Sequence, residues 1–200
     1  MTNGKVNAIE TLGNSVYIGG TFTQVGPSTG TAAAIDALTG NAKAPFPRID
    51  GSVACVVSDG AGGWFVGGSF AHVLGVPRKG LARIDANGNV TAWDPAPTGW
   101  VTCLLRAGGV LYVGGNFGVG GRNFAAAFDI ATGALTSWDP GCDSAVNSMV
   151  EGGGRIYLQG DFFNVGGQPR FNGIAAVDPT SGACLSWTTA VEGRVLMVLS

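Results

Sequence analysis

A short alternation of apolar and polar residues recurs along the chain at a nearly constant interval. Each copy opens on two apolar residues three positions apart, first seen as Val6 and Ile9. The later copies begin at Val53, Val101, Val146 and Val195, at spacings of 45 to 49 residues. Alternation with a period of two is typical of a half-buried strand, and a fixed interval of this length indicates a repeat architecture.

Three further strands are predicted in each copy. The second strand ends in a glycine pair and an aromatic residue, and its four versions are VYIGGTF, WFVGGSF, LYVGGNF and IYLQGDF. The third strand ends on a turn aspartate: Asp36, Asp85, Asp129 or Asp178. The fourth strand carries Phe46, Trp93, Trp138 or Trp187. An aspartate followed by a glycine suits a hairpin turn, because the carboxylate accepts hydrogen bonds from turn amides and glycine adopts positive φ.

Four short strands in a unit of this length match one propeller blade. The sequence therefore predicts an all-β, β-propeller-like array of four-stranded antiparallel blades within one repeat domain over residues 1–200. The repeats span residues 4–50, 51–98, 99–143 and 144–191. Residues 192–200 are predicted to form the opening inner strand of a fifth repeat.

This additional strand leaves three explanations open. The chain is a fragment of a larger propeller, or the tail closes the ring in place of the first strand. Alternatively, the tail adds to the sheet of a neighbouring subunit and produces a homo-oligomer.

Composition narrows the class of protein. The chain is 46% hydrophobic and 12% charged, with 35 glycines and a net charge of −2. This balance argues against disorder and against nucleic-acid binding. The chain has no apolar run long enough for a membrane span, and its first residues do not resemble a signal peptide.

The chain has few residues of the types that form metal, cofactor or catalytic sites. His72 is the single histidine, and the chain has no Cys-x-x-Cys pair and no G-x-S-x-G motif. We therefore expect no metal site, no cofactor and no catalytic residues. A glycosidase with carboxylates from distant blades is kept as the less favoured alternative. The turn aspartates are interpreted as structural, because each lies in a separate blade.

Five residues are candidates for a ligand or partner face. Arg78, Arg122 and Arg170 occupy related positions in the loops between the second and third strands, and Trp100 and His72 break the repeat pattern near loops. The three arginines suit an anionic glycan or a carboxylate of a protein partner. The alternative is that they form ion pairs between blades or clamp carboxylate and carbonyl groups, with Asp94 and Asp139 at the start of the connections on the same face.

The cysteines are predicted to remain unpaired within the chain. Cys55 and Cys103 share one position on the first strands and suit a buried core. Cys142 is predicted in a connection on one face of its blade and Cys184 after a hairpin on the opposite face, beyond the reach of a disulfide.

The repeat pattern resembles that of the delta-60 β-propeller repeat over essentially the whole chain. The shared elements are V-x-x-[ILVM], [VIL]-Y-[VI]-G-G-x-F, V-G-G-x-x-R, A-x-[IV]-D-x-x-T-G and W-x-P. The resemblance implies a secreted or cell-surface bacterial or archaeal protein with no general assigned activity. Residues 26–30 depart from the pattern, since they replace the Gly-Gly-x-x-Arg segment in the first repeat.

These observations predict a non-catalytic structural or adhesive surface module that self-assembles through its C-terminal strand. The alternatives are a lectin-like propeller that binds a glycan or a protein and, less favoured, a propeller enzyme that acts on polysaccharide.

Overall fold

The computed structural model describes residues 2–25, 30–44, 47–170 and 173–186. Regular structure in these residues is antiparallel β-sheet, and they contain no helix of the kind that crosses a bilayer. The strands are β1 (Val6–Leu12), β2 (Ser15–Gly20), β3 (Ala32–Asp36), β4 (Ala42–Lys43), β5 (Ile49–Ser58), β6 (Trp64–Val73), β7 (Val76–Pro77), β8 (Leu81–Ile84), β9 (Thr98–Ala107), β10 (Val110–Val119), β11 (Arg122–Asp129), β12 (Val146–Gly152), β13 (Arg155–Gly160), β14 (Asn164–Val165), β15 (Gln168–Pro169) and β16 (Ile174–Val177). The all-β prediction is confirmed.

The chain divides into two compact units, Met1–Val101 and Thr102–Ser200. In the first unit, one sheet has the order β1-β2-β3-β4, and a second sheet pairs β6 with β5, β7 and β8. In the second unit, one sheet has the order β12-β13-β16, and β14 and β15 form a separate hairpin. A further sheet has the order β11-β10-β9, with β9 beginning at the end of the first unit. Strand pairing thus follows the predicted repeats.

The predicted fourth strands are shorter than expected. The first repeat has the two-residue strand β4, whereas the later repeats have single bridges at Val90, Leu135 and Cys184. In the second and third repeats, a threonine two residues before the tryptophan explains why the fourth strand ends before the tryptophan. Thr91 Oγ1 accepts the Trp93 amide hydrogen at 3.3 Å, and the equivalent hydroxyl of Thr136 accepts that of Trp138 at 3.2 Å. Such side-chain acceptors compete with the sheet ladder.

The two glycines of each pair serve different packing contacts. The first glycine faces the opening valine of the next repeat: a Cβ on Gly67 would lie 2.5 Å from Val101 Cγ1, and one on Gly19 would collide with Val53. The second glycine lies against its own sheet, where a Cβ on Gly68 would collide with the carbonyl oxygen of Ser52. Glycine is therefore required for close approach at both positions.

The fourth repeat retains only the second of these glycines. Gly160 lies against the carbonyl oxygen of Ala145, as the packing within the sheet requires. Gln159 replaces the first glycine and is buried. The opening residues of the predicted fifth repeat, 192–200, lie outside the described residues, so the prediction of an extra inner strand stays a prediction.

Aromatic residues organise the core of each unit. Tyr17 packs on Trp64 with ring centroids 5.2 Å apart in the first unit, and Tyr112 packs on Trp138 at 5.1 Å in the second. The hydroxyls of both tyrosines donate hydrogen bonds to carbonyls of the following repeat, from Tyr17 to Gly62 and from Tyr112 to Pro179. Buried aromatic residues thus link consecutive repeats within each unit.

Candidate binding surface at the loop end of the first unit

We define the loop end of the first unit as Asp50, residues 69–79 and residues 97–100. In it, one side-chain oxygen accepts two consecutive backbone amide hydrogens, an arrangement that we call the clasp. Asp50 Oδ1 accepts the amide hydrogens of Ala71 at 2.9 Å and His72 at 2.5 Å, and Asp50 Oδ2 lies 2.6 Å from His72 Nδ1. Partial burial raises the pKa of Asp50, but the hydrogen bonds from the His72 side chain and the two amides outweigh it and hold that pKa below its usual value. The clasp therefore favours an ionised Asp50.

The same clasp recurs in two other repeats. Asn3 Oδ1 accepts the amide hydrogens of Thr23 and Gln24 at 2.9 and 3.0 Å. Asp143 Oδ1 accepts those of Phe163 and Asn164 at 2.9 and 3.1 Å. The clasp is consequently a structural feature of the repeat, and His72 is a local substitution within it.

Beside this clasp lies an open cleft of about 590 Å³, which we call the Trp100 cleft. Its lining consists of Asp50, Ser69, Phe70, Ala71, Lys79, Pro97, Thr98, Gly99 and Trp100. Trp100 is 61% exposed, although tryptophan is the largest apolar side chain. In the other repeats its position is held by Lys5, Ser52 and Ala145. A carboxylate, an ammonium group and an exposed indole therefore share one concave surface.

The hairpin between β6 and β7 adds exposed apolar groups to the same loop end. Its two-residue turn consists of Leu74 and Gly75, with φ of 53° and 78°. Leu74 is 45% exposed and Val76 39% exposed. Two positive φ values are expected for a two-residue hairpin, but leucine rarely adopts one. The sequence holds a strained, exposed leucine at a turn where glycine would be favoured.

The three predicted arginines make contacts within their own repeats. Arg78 Nη2 donates to the carbonyl oxygen of Thr91 at 2.6 Å, and Arg78 Nη1 lies 3.4 Å from Asp94 Oδ2. Arg122 lies 3.5 Å from Asp139, and Arg170 donates to the carbonyl oxygen of Leu185 at 3.0 Å. These contacts agree with the carboxylate and carbonyl clamps that the sequence gave as the alternative, but they lie within single repeats and not between blades. A ligand role for the arginines stays a prediction.

The turn aspartates adopt the structural arrangement that the sequence favoured. Asp129 Oδ1 accepts the amide hydrogen of Thr132 at 2.7 Å and its hydroxyl hydrogen at 2.6 Å. These hydrogen bonds hold the pKa of Asp129 below its usual value. Asp36, Asp85 and Asp178 accept equivalent turn amides. Within the described part of the chain, no group of three or more His, Cys, Asp or Glu side chains is placed to hold a metal ion.

Three of the five predicted candidates, His72, Arg78 and Trp100, fall within the loop end of the first unit, and of these three Trp100 lines the cleft. In the second unit, Phe163 is 60% exposed and was not predicted. It follows Phe162 where the other repeats have Thr23, Ala71 and Gly118. The other repeats have a small or polar residue at this position, and that difference is the sequence feature that could have identified Phe163.

Two of the four cysteines, Cys142 and Cys184, differ from their predicted placement, whereas Cys55 and Cys103 lie in β5 and β9, the first strands of their sheets, as predicted. All four are free thiols. Cys142 and Cys184 do not lie on separate faces of their blade, because both pack in the hydrophobic cluster around Trp138 and Val165. Burial comes first among the causes that raise the pKa of Cys142, followed by the charges of Asp143, Asp139 and Cys184.

Comparison with known proteins supports a β-propeller repeat. A family described as a domain of unknown function (DUF5122) beta-propeller matches residues 62–90. A search of curated proteins finds no match. The short family match supports a β-propeller repeat family, and the more specific likeness to the delta-60 repeat stays a prediction.

Solved structures with a similar fold include a designed protein and two natural assemblies. The computationally designed Ika4 protein has a TM-score of 0.54 and 15% identity, over 80% of this chain and 88% of its own. A chain of the Mitotic Checkpoint Complex has a TM-score of 0.63 and 15% identity, over 96% of this chain and 55% of its own. YCF48 bound to D1 peptide has a TM-score of 0.54 and 16% identity, over 92% of this chain and 52% of its own.

The chain thus spans about half the length of the two natural chains, and these likenesses establish a propeller-like fold.

Proposed function

We propose that this chain is a non-catalytic, adhesive protein-interaction module of a cell surface, and that it holds its partner at the loop end of the first unit. The observation that carries the proposal is Trp100, which stays 61% exposed on an open cleft. Tryptophan is enriched among the residues that dominate binding energy at protein interfaces.

The surroundings of Trp100 suit an interface. Leu74 and Val76 are exposed apolar side chains on the neighbouring hairpin, and Asp50 and Lys79 provide charges at the cleft. An apolar centre with a polar rim is the usual composition of an interaction site. The β-propeller-like fold, which presents loops from a rigid sheet scaffold, is consistent with this role.

The non-catalytic part of the proposal rests on how the ionisable groups are used. Each of the four turn aspartates accepts backbone amide hydrogens of its own turn, and the clasp carboxylate of Asp50 accepts those of Ala71 and His72. They serve the fold in these positions. Self-assembly through residues 192–200 stays a prediction, because those residues lie outside the described part of the chain.

A second candidate is glycan binding by the same cleft. Asp50, Ser69 and Lys79 line it together with the indole of Trp100. Such a site pairs an aromatic face with several hydrogen-bonding groups, and a small polar ligand needs both.

The test uses two sets of probes on the immobilised full chain: a random-peptide phage library and an array of oligosaccharides. We expect selected peptides to lose about 30-fold in affinity on Trp100→Ala, because truncating a central interface residue costs about 2 kcal/mol. The matched control is Leu38→Ala, which removes an 85% exposed leucine from the turn between β3 and β4.

Oligosaccharide binding that depends on Trp100 would replace the first candidate with the second. Peptides that bind Trp100→Ala as tightly as the wild type would contradict the proposed interaction surface.

A further inference from the structure

Two cysteines of the second unit stand where the first unit has apolar residues. Cys142 directly precedes the clasp residue Asp143 at the end of the third repeat, as Ile49 precedes Asp50 at the end of the first. Cys184 forms a single bridge with Val177, as Val90 does with Ile84. Ile49 and Val90 pack in one hydrophobic cluster of the first unit. Cysteine therefore stands at both of the corresponding positions in the second unit.

The structure places Cys142 and Cys184 beside the same dipeptide. Cys142 forms an antiparallel bridge with Val165. A Cβ built on the next residue, Gly166, would lie 3.5 Å from Cys184 Cβ. Arg170 Nη2 donates a hydrogen bond to Cys184 Sγ at 3.1 Å and thereby orients that sulfur. Cys142 and Cys184 thus lie next to the Val165–Gly166 segment, and both pack in one hydrophobic cluster of the second unit.

We propose that Cys142 and Cys184 form an intrachain disulfide when the chain meets an oxidising environment. The bond would join the segment that precedes β12 to the segment that follows β16, and so fasten the two ends of the last repeat. Disulfide formation needs Cα atoms within about 7 Å and Cβ atoms within about 4.5 Å. Both cysteines lie against the Val165–Gly166 segment in one cluster, and this shared contact is the observation that carries the proposal.

The chemistry is thiol–disulfide exchange with an external disulfide such as oxidised glutathione. The thiolate of one cysteine attacks a glutathione sulfur, forms a mixed disulfide and releases one glutathione thiolate. The thiolate of the second cysteine then attacks the cysteine sulfur of the mixed disulfide and displaces the second glutathione. The two thiols lose two electrons and two protons in total, and two reduced glutathiones result.

The other two cysteines provide a control within the chain. Cys55 Sγ and Cys103 Sγ would each lie 2.6 Å from a Cβ on Gly67 and Gly114 respectively, so both face glycines of their own sheets. Cys55 and Cys103 belong to different sheets, β5–β6 and β9–β10. We expect neither to form an intrachain disulfide.

The experiment equilibrates the full chain carrying Cys55→Ala and Cys103→Ala in glutathione buffers, then digests it with trypsin without reduction. Cleavage after arginine places Cys142 in peptide 123–155 and Cys184 in peptide 171–194. We expect one cross-linked species, two hydrogen masses below the sum of the two peptides. Its formation should raise the unfolding midpoint by about 5–10 °C, since the bond closes a loop of roughly 40 residues.

Cys142→Ser and Cys184→Ser should each abolish both the cross-link and the stabilisation. If either variant fails to fold, the fall in midpoint on adding a reductant to the oxidised chain replaces the comparison. Recovery of the two peptides as glutathione adducts, or as a cross-link between two chains, would overturn the proposal.

Discussion

The loop ends of the two units are built on the same clasp but present different side chains. Asp50 in the first unit and Asp143 in the second each accept two consecutive backbone amide hydrogens, from Ala71 and His72 and from Phe163 and Asn164. At two aligned positions the first unit has the bulkier or more reactive residue: His72 against Asn164, and Leu74 against Gly166. At a third position, Ala71 against Phe163, the second unit has the bulkier one.

The clasp and the unusual side chains around it, Leu74 and Trp100, have different explanations. The clasp is repeated, so it is explained by the fold alone. The leucine at positive φ and the exposed tryptophan do not help the fold, and residues of this kind concentrate at functional sites. The loop end of the first unit is consequently the stronger candidate for binding.

A second contrast concerns the packing of one repeat on the next. Gly67 in the first unit makes room for Val101, whereas Gln159 occupies the matching position in the second unit. Glycine is thus required where an opening valine is seated against it, as at Gly67 in the first unit and at Gly114, beside Val146, in the second.

The largest effect is expected for Gly67→Ala. Its new Cβ would lie 2.5 Å from Val101 Cγ1 and 2.6 Å from Cys55 Sγ, so the sheets must separate. We expect a loss of about 3 kcal/mol in the free energy of unfolding, measured by chemical denaturation. Gly109→Ala is the matched control, because its Cβ would meet nothing within 4 Å. Equal effects of the two substitutions would remove the packing role assigned to the first glycine.

A smaller effect is expected for exchanging the turn residues of the two units. Leu74→Gly should raise the free energy of unfolding by about 1 kcal/mol, because glycine adopts positive φ without steric cost. Gly166→Leu should lower it by a similar amount, since Gly166 has φ of 56°. Thermal unfolding of both variants measures the difference. A destabilised Leu74→Gly variant would show that the leucine is held for packing.

The smallest effect concerns acid stability. The folded-state pKa of Asp50 is lowered, so its ionised form stabilises the fold at pH values above the ordinary aspartate pKa, and this contribution is lost as pH falls through the folded-state value. Asp50→Asn should therefore flatten the decline of the unfolding midpoint below about pH 4. Midpoints recorded between about pH 2 and 7 check this. An unchanged slope in the variant would mean that the clasp carries no pH-dependent stability.

Much of the fold could be predicted from the chain because each repeat restates the same pattern. The opening valines and glycine pairs located the first two strands, and the turn aspartates located the end of the third. The fourth strands were overestimated, since Thr91 and Thr136 use their hydroxyls to bind the tryptophan amides. Such local competition is not visible in hydrophobic periodicity.

The candidate site could be predicted only in part. Trp100 and His72 stand out because they break the repeat, whereas Phe163 escaped notice beside the buried Phe162. Cys142 and Cys184 were assigned to separate faces because strand direction alone does not reveal that both pack around Val165.

The central claim is that binding belongs to the loop end of the first unit. The most direct test measures the dissociation constant of one selected peptide for the wild type, Trp100→Ala and Phe163→Ala. Each variant removes one exposed aromatic residue, from the first and the second unit respectively. The account predicts a loss of about 30-fold for Trp100→Ala and an unchanged constant for Phe163→Ala. The reverse result would place the binding surface on the second unit and contradict the account.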